Sequence, residues 1–238
     1  MNLMHDLSTF APDHSIFEIN NPYPEKKVLN KDCDYLVFDD FLKKPDEYKE
    51  VLRQFPVFPS DFFYDTSSPG WRQIIPFEFF TNIENVLGNY TGSDTWVQQS
   101  FTNIYRSGMP CNCKSWYPHQ DSMNYALNLW LCDGPGGTAF HTWRGRYHGL
   151  GLPEETQGRI FNKQVKGNFE YEEFRGDDEW EMYHLEPVKY NRAIFYNGNN
   201  FHSAFIPEGS YQNYSNDYWD QSHWRYSLVL MGGVDKTK

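Results

Sequence analysis

From Trp96 onward the chain is a succession of short β-prone runs: TWVQQSFTNIYR, MNYALNLWL, GTAFHTW, NRAIFYNG, FHSAFIP and WRYSLVLMG. They are rich in aromatic and β-branched residues and broken by Gly, Asn or Pro, the composition of strands that end in turns. The first part of the chain reads differently. YLVFDDFL (Tyr35–Leu42) is expected as an opening strand, and PDEYKEVLRQF follows it with Pro45 placed for the first turn of a helix. Tyr48, Val51, Leu52 and Phe55 fall at i, i+3, i+4 and i+7, one apolar helix face. A loop is expected over PVFPSDFFYDTSSPGW. A second helix is expected over PFEFFTNIENVLG, with Phe80, Ile83 and Leu87 on one side and Gly88 ending it. Two helices followed by many short strands predict an α+β chain, its helices packed on a β-sandwich or barrel.

The 238 residues suit one large domain with appendages. Residues 1–30 are polar and Pro/Asn-rich and are expected as an extended arm, leaving residues 31–238 as the single domain. Two segments, about 144–180 and 208–224, read as insertions; long irregular segments of this kind serve as lids or mobile loops. Aromatic residues make up 18% of the chain, which supports a core rich in large rings. A net charge of −11 repels phosphate backbones, so nucleic acid is an unlikely partner. No run of eighteen apolar residues is present, and the N-terminus lacks a basic segment followed by an apolar stretch, so neither a membrane span nor a signal peptide is expected. Four cysteines (Cys33, Cys111, Cys113, Cys132) are too few for a disulfide scaffold, and a reducing cytoplasm is the simplest expectation.

Chemistry concentrates around WYPHQDSMNYALNLWLCDGPGGTAFH, residues 116–141. In a strand, residues i and i+2 face the same way, roughly 6–7 Å apart. His119 and Asp121 are then able to share one cation, and His202, in FHSAFIP, is the best candidate for a third ligand. Two imidazoles and one carboxylate leave open positions on an octahedral ion, which suits non-haem Fe(II) and oxygen chemistry. Zinc accepts the same set, so ligand type leaves the metal open. An isolated H-x-D triplet arises often by chance. Its weight here comes from the β-prone strand that follows, the second His in a later strand, and an Arg-x-Ser (Arg225, Ser227) later still.

That order, IYRSG…HQD…LNLWLCDGPGGTAF…NRAIFYNGNNFHS…RYS, resembles the Fe(II)/2-oxoglutarate-dependent oxygenase superfamily over roughly Tyr105–Met231. The pattern is nearest to prolyl 4-hydroxylase-like members and to a poorly characterised branch found in phage genomes, for which a host cytoplasm would be the location. The early YLVFDDFLKKPDEYKEVL also resembles the family's opening strand and helix. The resemblance implies a double-stranded β-helix (jelly-roll) core with N-terminal supporting helices and a metal at its open end. It implies His119, Asp121 and His202 as iron ligands, and Arg225 as the partner of the far carboxylate of 2-oxoglutarate, a role that a planar guanidinium fork fits. Ser227 and Tyr105 would also contact the cosubstrate, and Asn128 and Thr138 fall on strands that line its pocket. The implied reaction consumes O2 and 2-oxoglutarate, forms succinate and CO2, and hydroxylates a C–H bond. Asp121 favours hydroxylation, because halogenating relatives lack that carboxylate.

The sequence departs from the compact family pattern between His202 and Arg225, where the segment 208–224 lengthens the interval. Arg192 is therefore a rival anchor, although its place before a strand fits a cap or a partner for an acid. Asn128 and Thr138 are equally readable as a strand Asn bonded to backbone and a turn Thr. Cys111-x-Cys113 is better read as two small buried or loop cysteines than as a zinc site. His141 reads as a residue behind the site or exposed, His148 and His184 as structural or exposed, and His223 as a residue of the last insertion. Gly136–Gly137 makes a tight turn, and Trp130, Leu131 and Phe140 belong to the core. Two other classes fit less of the pattern: a cupin-like metal enzyme without 2-oxoglutarate, and a non-enzymatic phage-type β-sandwich binding module. A small molecule or a peptide is the expected substrate; oligomeric state is not readable.

Overall fold

The computed structural model describes residues 14–59, 70–75, 80–109, 111–113, 116–121, 123–149, 166–169, 171–212 and 221–234. The two expected helices form. The first, α1 (Pro45–Leu52), starts on Pro45 with Asp46 and Glu47 in its first turn, where acidic side chains meet the positive end of the helix dipole. Tyr48 and Leu52 are buried and Val51 is half-buried, so the predicted stripe faces the core. The second, α2 (Thr81–Thr91), buries Ile83 and Leu87 but runs through Gly88. Its end is Gly92, at φ 68°, the left-handed conformation that glycine adopts without a Cβ clash. Gly88 was expected as the stop. It is helical instead, because the terminating signal is a positive φ rather than a glycine as such. Residues 76–79, the expected start of this helix, lie outside the described residues.

The strands are β1 (Glu25–Asn30), β2 (Cys33–Phe38), β3 (Phe58–Pro59), β4 (Trp71–Ile74), β5 (Thr95–Tyr105), β6 (Cys111–Cys113), β7 (Tyr125–Trp130), β8 (Gly137–Trp143), β9 (Lys166–Phe169), β10 (Trp180–Pro187), β11 (Arg192–Asn197), β12 (His202–Phe205) and β13 (Arg225–Val234). All six runs that read as strands after Trp96 are strands. Eight strands form one sheet in the order β1-β2-β11-β7-β13-β5-β4-β3, three form a second in the order β10-β8-β12, and β6 pairs with β9. Every pairing is antiparallel. The fold is therefore mostly antiparallel sheet with few helices, as the α+β reading predicted. From β5 onward the chain passes repeatedly between layers: β5 in the large sheet, a bridge at His119 to β12, β7 in the large sheet, β8 and β10 in the small one, then β11, β12 and β13 in alternation.

Alternation along the central strands builds two cores. On β7, Tyr125, Leu127 and Leu129 point to the helices, while Ala126 and Trp130 point to the small sheet. On β13, Tyr226, Leu228 and Leu230 face the helices, and Val229 and Met231 face the small sheet. Burial on both faces explains why these strands read as near-continuous apolar runs. Between the sheets, Phe140 of β8 stacks on Tyr35 at 5.1 Å and meets Tyr196 edge-on at 5.6 Å. Such ring pairs add about 0.5–1.5 kcal/mol beyond their area.

Several segments depart from expectation. Residues 1–13 of the predicted arm lie outside the described residues; beyond them Ile16 and Phe17 are buried and β1 is a paired edge strand. The arm is thus tied down by its few apolar residues. The predicted loop before Trp71 contains β3 and leads into β4, which extend the large sheet beyond β5; residues 60–69 lie outside the described residues. The segment 144–180 contributes β9, and β10 follows it as an edge of the small sheet. The rest of that segment over 150–165 and 170, and residues 213–220 of the later one, lie outside the described residues. No described helix is long and apolar enough to cross a membrane.

His141 is fully buried on β8, with Nε2 2.9 Å from Ser203 Oγ. Burial, and then the neighbouring His202 and His119, push its pKa down to about 3. The native state then binds no proton at His141 between about pH 6.5 and 3, while the unfolded chain does. Its contribution to stability is therefore lost as pH falls through that window. In urea titrations of the metal-free protein, His141→Gln should flatten the pH dependence of unfolding between pH 6 and 3.5 by about 1 kcal/mol per pH unit. An unchanged slope would show that His141 protonates freely. Leu129→Ala, in the helix-side core, should cost about 2–5 kcal/mol in the same measurement.

Candidate metal centre

His119 does not lie in a regular strand. It forms a single antiparallel bridge with His202: His119 N–H donates to His202 O at 2.9 Å, and His202 N–H to His119 O at 3.0 Å. Residues paired in this way project their side chains to the same side of the sheet, and the two imidazole centroids lie 4.6 Å apart. Asp121 is fixed by a second backbone bond, its N–H donating to Gly198 O at 2.8 Å. A Cβ at Gly198 would lie 3.1 Å from the Asp121 Cβ and 2.3 Å from Met123 O, so only glycine allows this approach.

Second partners set the tautomers. His119 Nδ1 lies 3.0 Å from Tyr117 O, and His202 Nδ1 lies 2.8 Å from Asn200 O. A carbonyl oxygen only accepts, so each Nδ1 carries the proton and each neutral ring keeps its lone pair on Nε2. His119 Nε2 is 3.7 Å from Asp121 Oδ1, and His202 Nε2 is 3.3 Å from Asp121 Oδ2. The three ligand atoms lie within 4.8 Å of one another, the one such cluster among the described residues. Burial lowers the pKa of His202, but the Asp121 charge and hydrogen bond outweigh it and the net shift is upward. Three donors converging on one point, the two rings oriented from behind, fit a divalent cation that keeps open positions.

The cluster opens into a cleft of about 630 Å³ between the sheets. Arg225 and Ser227, i and i+2 on β13, line it and are each 2% exposed. The Arg225 guanidinium lies over the Trp116 ring at 5.8 Å. Its Nε and Nη1 are buried and have no hydrogen-bond partner among the described residues. Arg192, the rival, faces another flank: in register it is separated from Ser227 by Trp130. Its Nε and Nη2 donate to Asp39 at 2.6 and 3.1 Å, and its Nη1 to Glu186 at 2.6 Å. Arg192 in turn holds Asp39 down at about 2. It is a fully engaged structural cation.

The other predicted residues divide. Asn128 lines the cleft, whereas Thr138 lies behind it, accepting from Asn128 Nδ2 at 3.1 Å. Tyr105 pairs with Arg225 across the strands but is not in the cleft lining; it packs among Trp116, Tyr171 and Tyr211. His141 is turned to Ser203, His184 to Tyr35 and His148 to Asn30, while His223 is exposed. Cys111 and Cys113 fall on β6, and their side chains lie outside the described residues. Sequence reading missed Tyr196, Trp116 and Arg72 in the lining. For Tyr196 a signal existed: on β11 it alternates with Phe195 and shares a face with Ile194.

No curated protein matches the sequence. Among solved structures the chain is similar to an oxidoreductase of the 2OG-Fe(II) oxygenase family from Burkholderia pseudomallei, at 10% identity with 83% of each chain covered and a TM-score of 0.46. It is similar to HygX from Streptomyces hygroscopicus, solved with nickel and 2-oxoglutarate bound, at 12% identity, covering 85% of this chain and 83% of that one, TM-score 0.44. It is similar also to the epimerase SnoN, solved with Fe3+, alpha ketoglutarate and nogalamycin RO, at 14% identity, covering 85% and 79%, TM-score 0.46. Residues 21–217, most of the chain, match the family of unknown function DUF6445, and the chain belongs to that family.

Proposed function

We propose that this protein is an Fe(II)- and 2-oxoglutarate-dependent oxygenase that hydroxylates a C–H bond of a small-molecule or peptide substrate. One observation carries the reading: two Nε2 atoms and a carboxylate converge at a cleft that also buries the unpartnered N–H groups of Arg225. A cation site and an anion site in one cleft fit a chelating ligand with a distant carboxylate. A double-stranded β-helix core, nearest to the prolyl 4-hydroxylase-like branch, is part of this proposal. The alternation of strands between the two sheets supports the core.

When bound, Fe(II) would supply the redox chemistry by which O2 and 2-oxoglutarate give succinate and CO2, with one oxygen atom entering the substrate C–H bond. His119 and His202 would hold the cation through Nε2, and Asp121 through a carboxylate oxygen. The Tyr117 and Asn200 carbonyls keep both rings turned for this. Arg225 would meet the far carboxylate with charge-assisted hydrogen bonds, and the Ser227 hydroxyl would donate beside it. Trp116, Tyr171 and Tyr211 close the space around the guanidinium, which excludes water and strengthens that attraction.

Substituting Ala for His119, Asp121 or His202 should abolish succinate formation and weaken Fe(II) binding strongly. Undiminished turnover in all three variants would sink the ligand assignment. Arg225→Ala should raise the 2-oxoglutarate concentration needed for half-maximal succinate release by at least about tenfold, because a hydrogen bond to a charged group contributes about 1.5–3 kcal/mol. An unchanged requirement would place the anchor elsewhere.

A further inference from the structure

Asn128 stands in the cleft wall, and both of its amide protons are spent inside the protein: Nδ2 donates to Thr138 Oγ1 and to Tyr196 Oη, each at 3.1 Å. The Tyr196 oxygen is thereby an acceptor, and its own proton needs a different partner. Among the described residues it has none. The ring cannot turn aside to find one. It is 2% exposed, its edge meets His202 at 4.7 Å, and Phe140 packs against it at 5.6 Å. Tyr196 lines the cleft beside His119, Asp121 and His202. A phenol carries one hydroxyl proton, and with Asn128 filling its acceptor side that proton is left to donate toward the cleft. Asn128 Oδ1 is buried and has no partner among the described residues.

Along the cleft, hydrogen-bond donors without acceptors therefore stand at two places. Arg225 and Ser227 lie toward the start of β13. Tyr196 lies beside the metal ligands, at the level of Ala126 and Met231 in register. We propose that Tyr196, aimed by Asn128 and Thr138, donates its hydroxyl proton to the metal-side carboxylate of the cosubstrate, so that Tyr196 and Arg225 hold the two ends of one dicarboxylate. The inference rests on the oxygenase reading above. Tyr196 is the residue in contact, and Asn128 and Thr138 are positioning residues. An O–H···O⁻ bond in a buried site is among the stronger hydrogen bonds a protein makes. It would also fix the rotation of the carboxylate at the metal.

The test is anaerobic titration of the Fe(II)-loaded protein with 2-oxoglutarate, following the weak visible charge-transfer band, with Mn(II) affinity measured separately. Tyr196→Phe keeps the ring packing and removes the hydroxyl, which is both the proposed donor and the acceptor of one Asn128 amide proton. It should raise the dissociation constant for 2-oxoglutarate about tenfold or more and shift the band, while Mn(II) affinity stays within about twofold. Asn128→Leu, which frees the phenol to rotate its hydroxyl, should weaken 2-oxoglutarate in the same sense with metal affinity likewise retained. Wild-type 2-oxoglutarate affinity and band position in Tyr196→Phe would overturn the role of Tyr196 and leave the oxygenase reading intact. If the wild-type protein binds Mn(II) but neither binds 2-oxoglutarate nor shows the band, both are overturned.

Discussion

The candidate site depends on two backbone hydrogen bonds, from His119 to His202 and back. Each contributes only about 1 kcal/mol net, so their importance is geometric. They tie a segment outside any regular strand to β12, which is itself held by β8 in the register His202 opposite Phe140. The ligand pair thus inherits the rigidity of the small sheet. Asp121, bonded through its N–H to Gly198 at the end of β11, inherits the position of the large one. The cluster is assembled from both sheets, and its geometry reports how they pack.

The two arginines differ in how their buried charge is met. Desolvating a guanidinium is expensive unless acceptors replace its water. Arg192 meets two carboxylates, Asp39 and Glu186, and joins β11 to the turn after β2 and to β10. Arg225 is more deeply buried yet leaves two nitrogens without acceptors. Part of its desolvation is offset by the Trp116 face. Under the proposed function an arriving carboxylate would offset the remainder. The net charge of the chain is −11, so this attraction is local to the cleft and does not come from the protein's overall field.

Much of this was legible in the sequence, for identifiable reasons. The late strands are long or doubly buried, so composition marks them clearly: β7 and β13 read as strands because apolar residues occupy both faces. The helix face of α1 followed its 3.6-residue period. The strands that escaped notice are edges or short pairs. β1 is EKKVLN, half-exposed and charged, as edges are when they resist further pairing. β3 has two residues, and β10 mixes exposed Glu181 with buried Trp180. For the site, His119 with Asp121 and Arg225 with Ser227 were visible as i, i+2 pairs, and His202 as a histidine in a later β-prone run. The sequence already preferred Arg225 and read Arg192 as a cap or a partner for an acid; that the acids are Asp39 and Glu186 is long-range information. Thr138 and Tyr105 could not be separated from Asn128 by pattern alone, because the face each presents depends on sheet packing.

The polar residues of the inner face are the clearest case of a local rule broken at the candidate site. β7 carries Asn128 between Leu127 and Leu129, and β13 opens with Arg225 and Ser227 before Leu228, Val229 and Leu230. Apolar residues at these inner positions would pack against Phe140 as Ala126 and Trp130 do. A buried polar group without a partner costs about 1–3 kcal/mol, so several of them would be selected against in a purely structural sandwich. They are not scattered. Register places Asn128 opposite Val229, Ser227 opposite Trp130, and Tyr196 opposite Ala126, and all three line one continuous cleft with the His119–Asp121–His202 cluster. Polar groups that weaken a core in sequence converge in space on one volume, and their unpaired atoms face it. Under the proposed function, a ligand that offers a metal chelate near the histidines and a carboxylate near Arg225 would restore the missing partners, so the same interactions would balance stability and function.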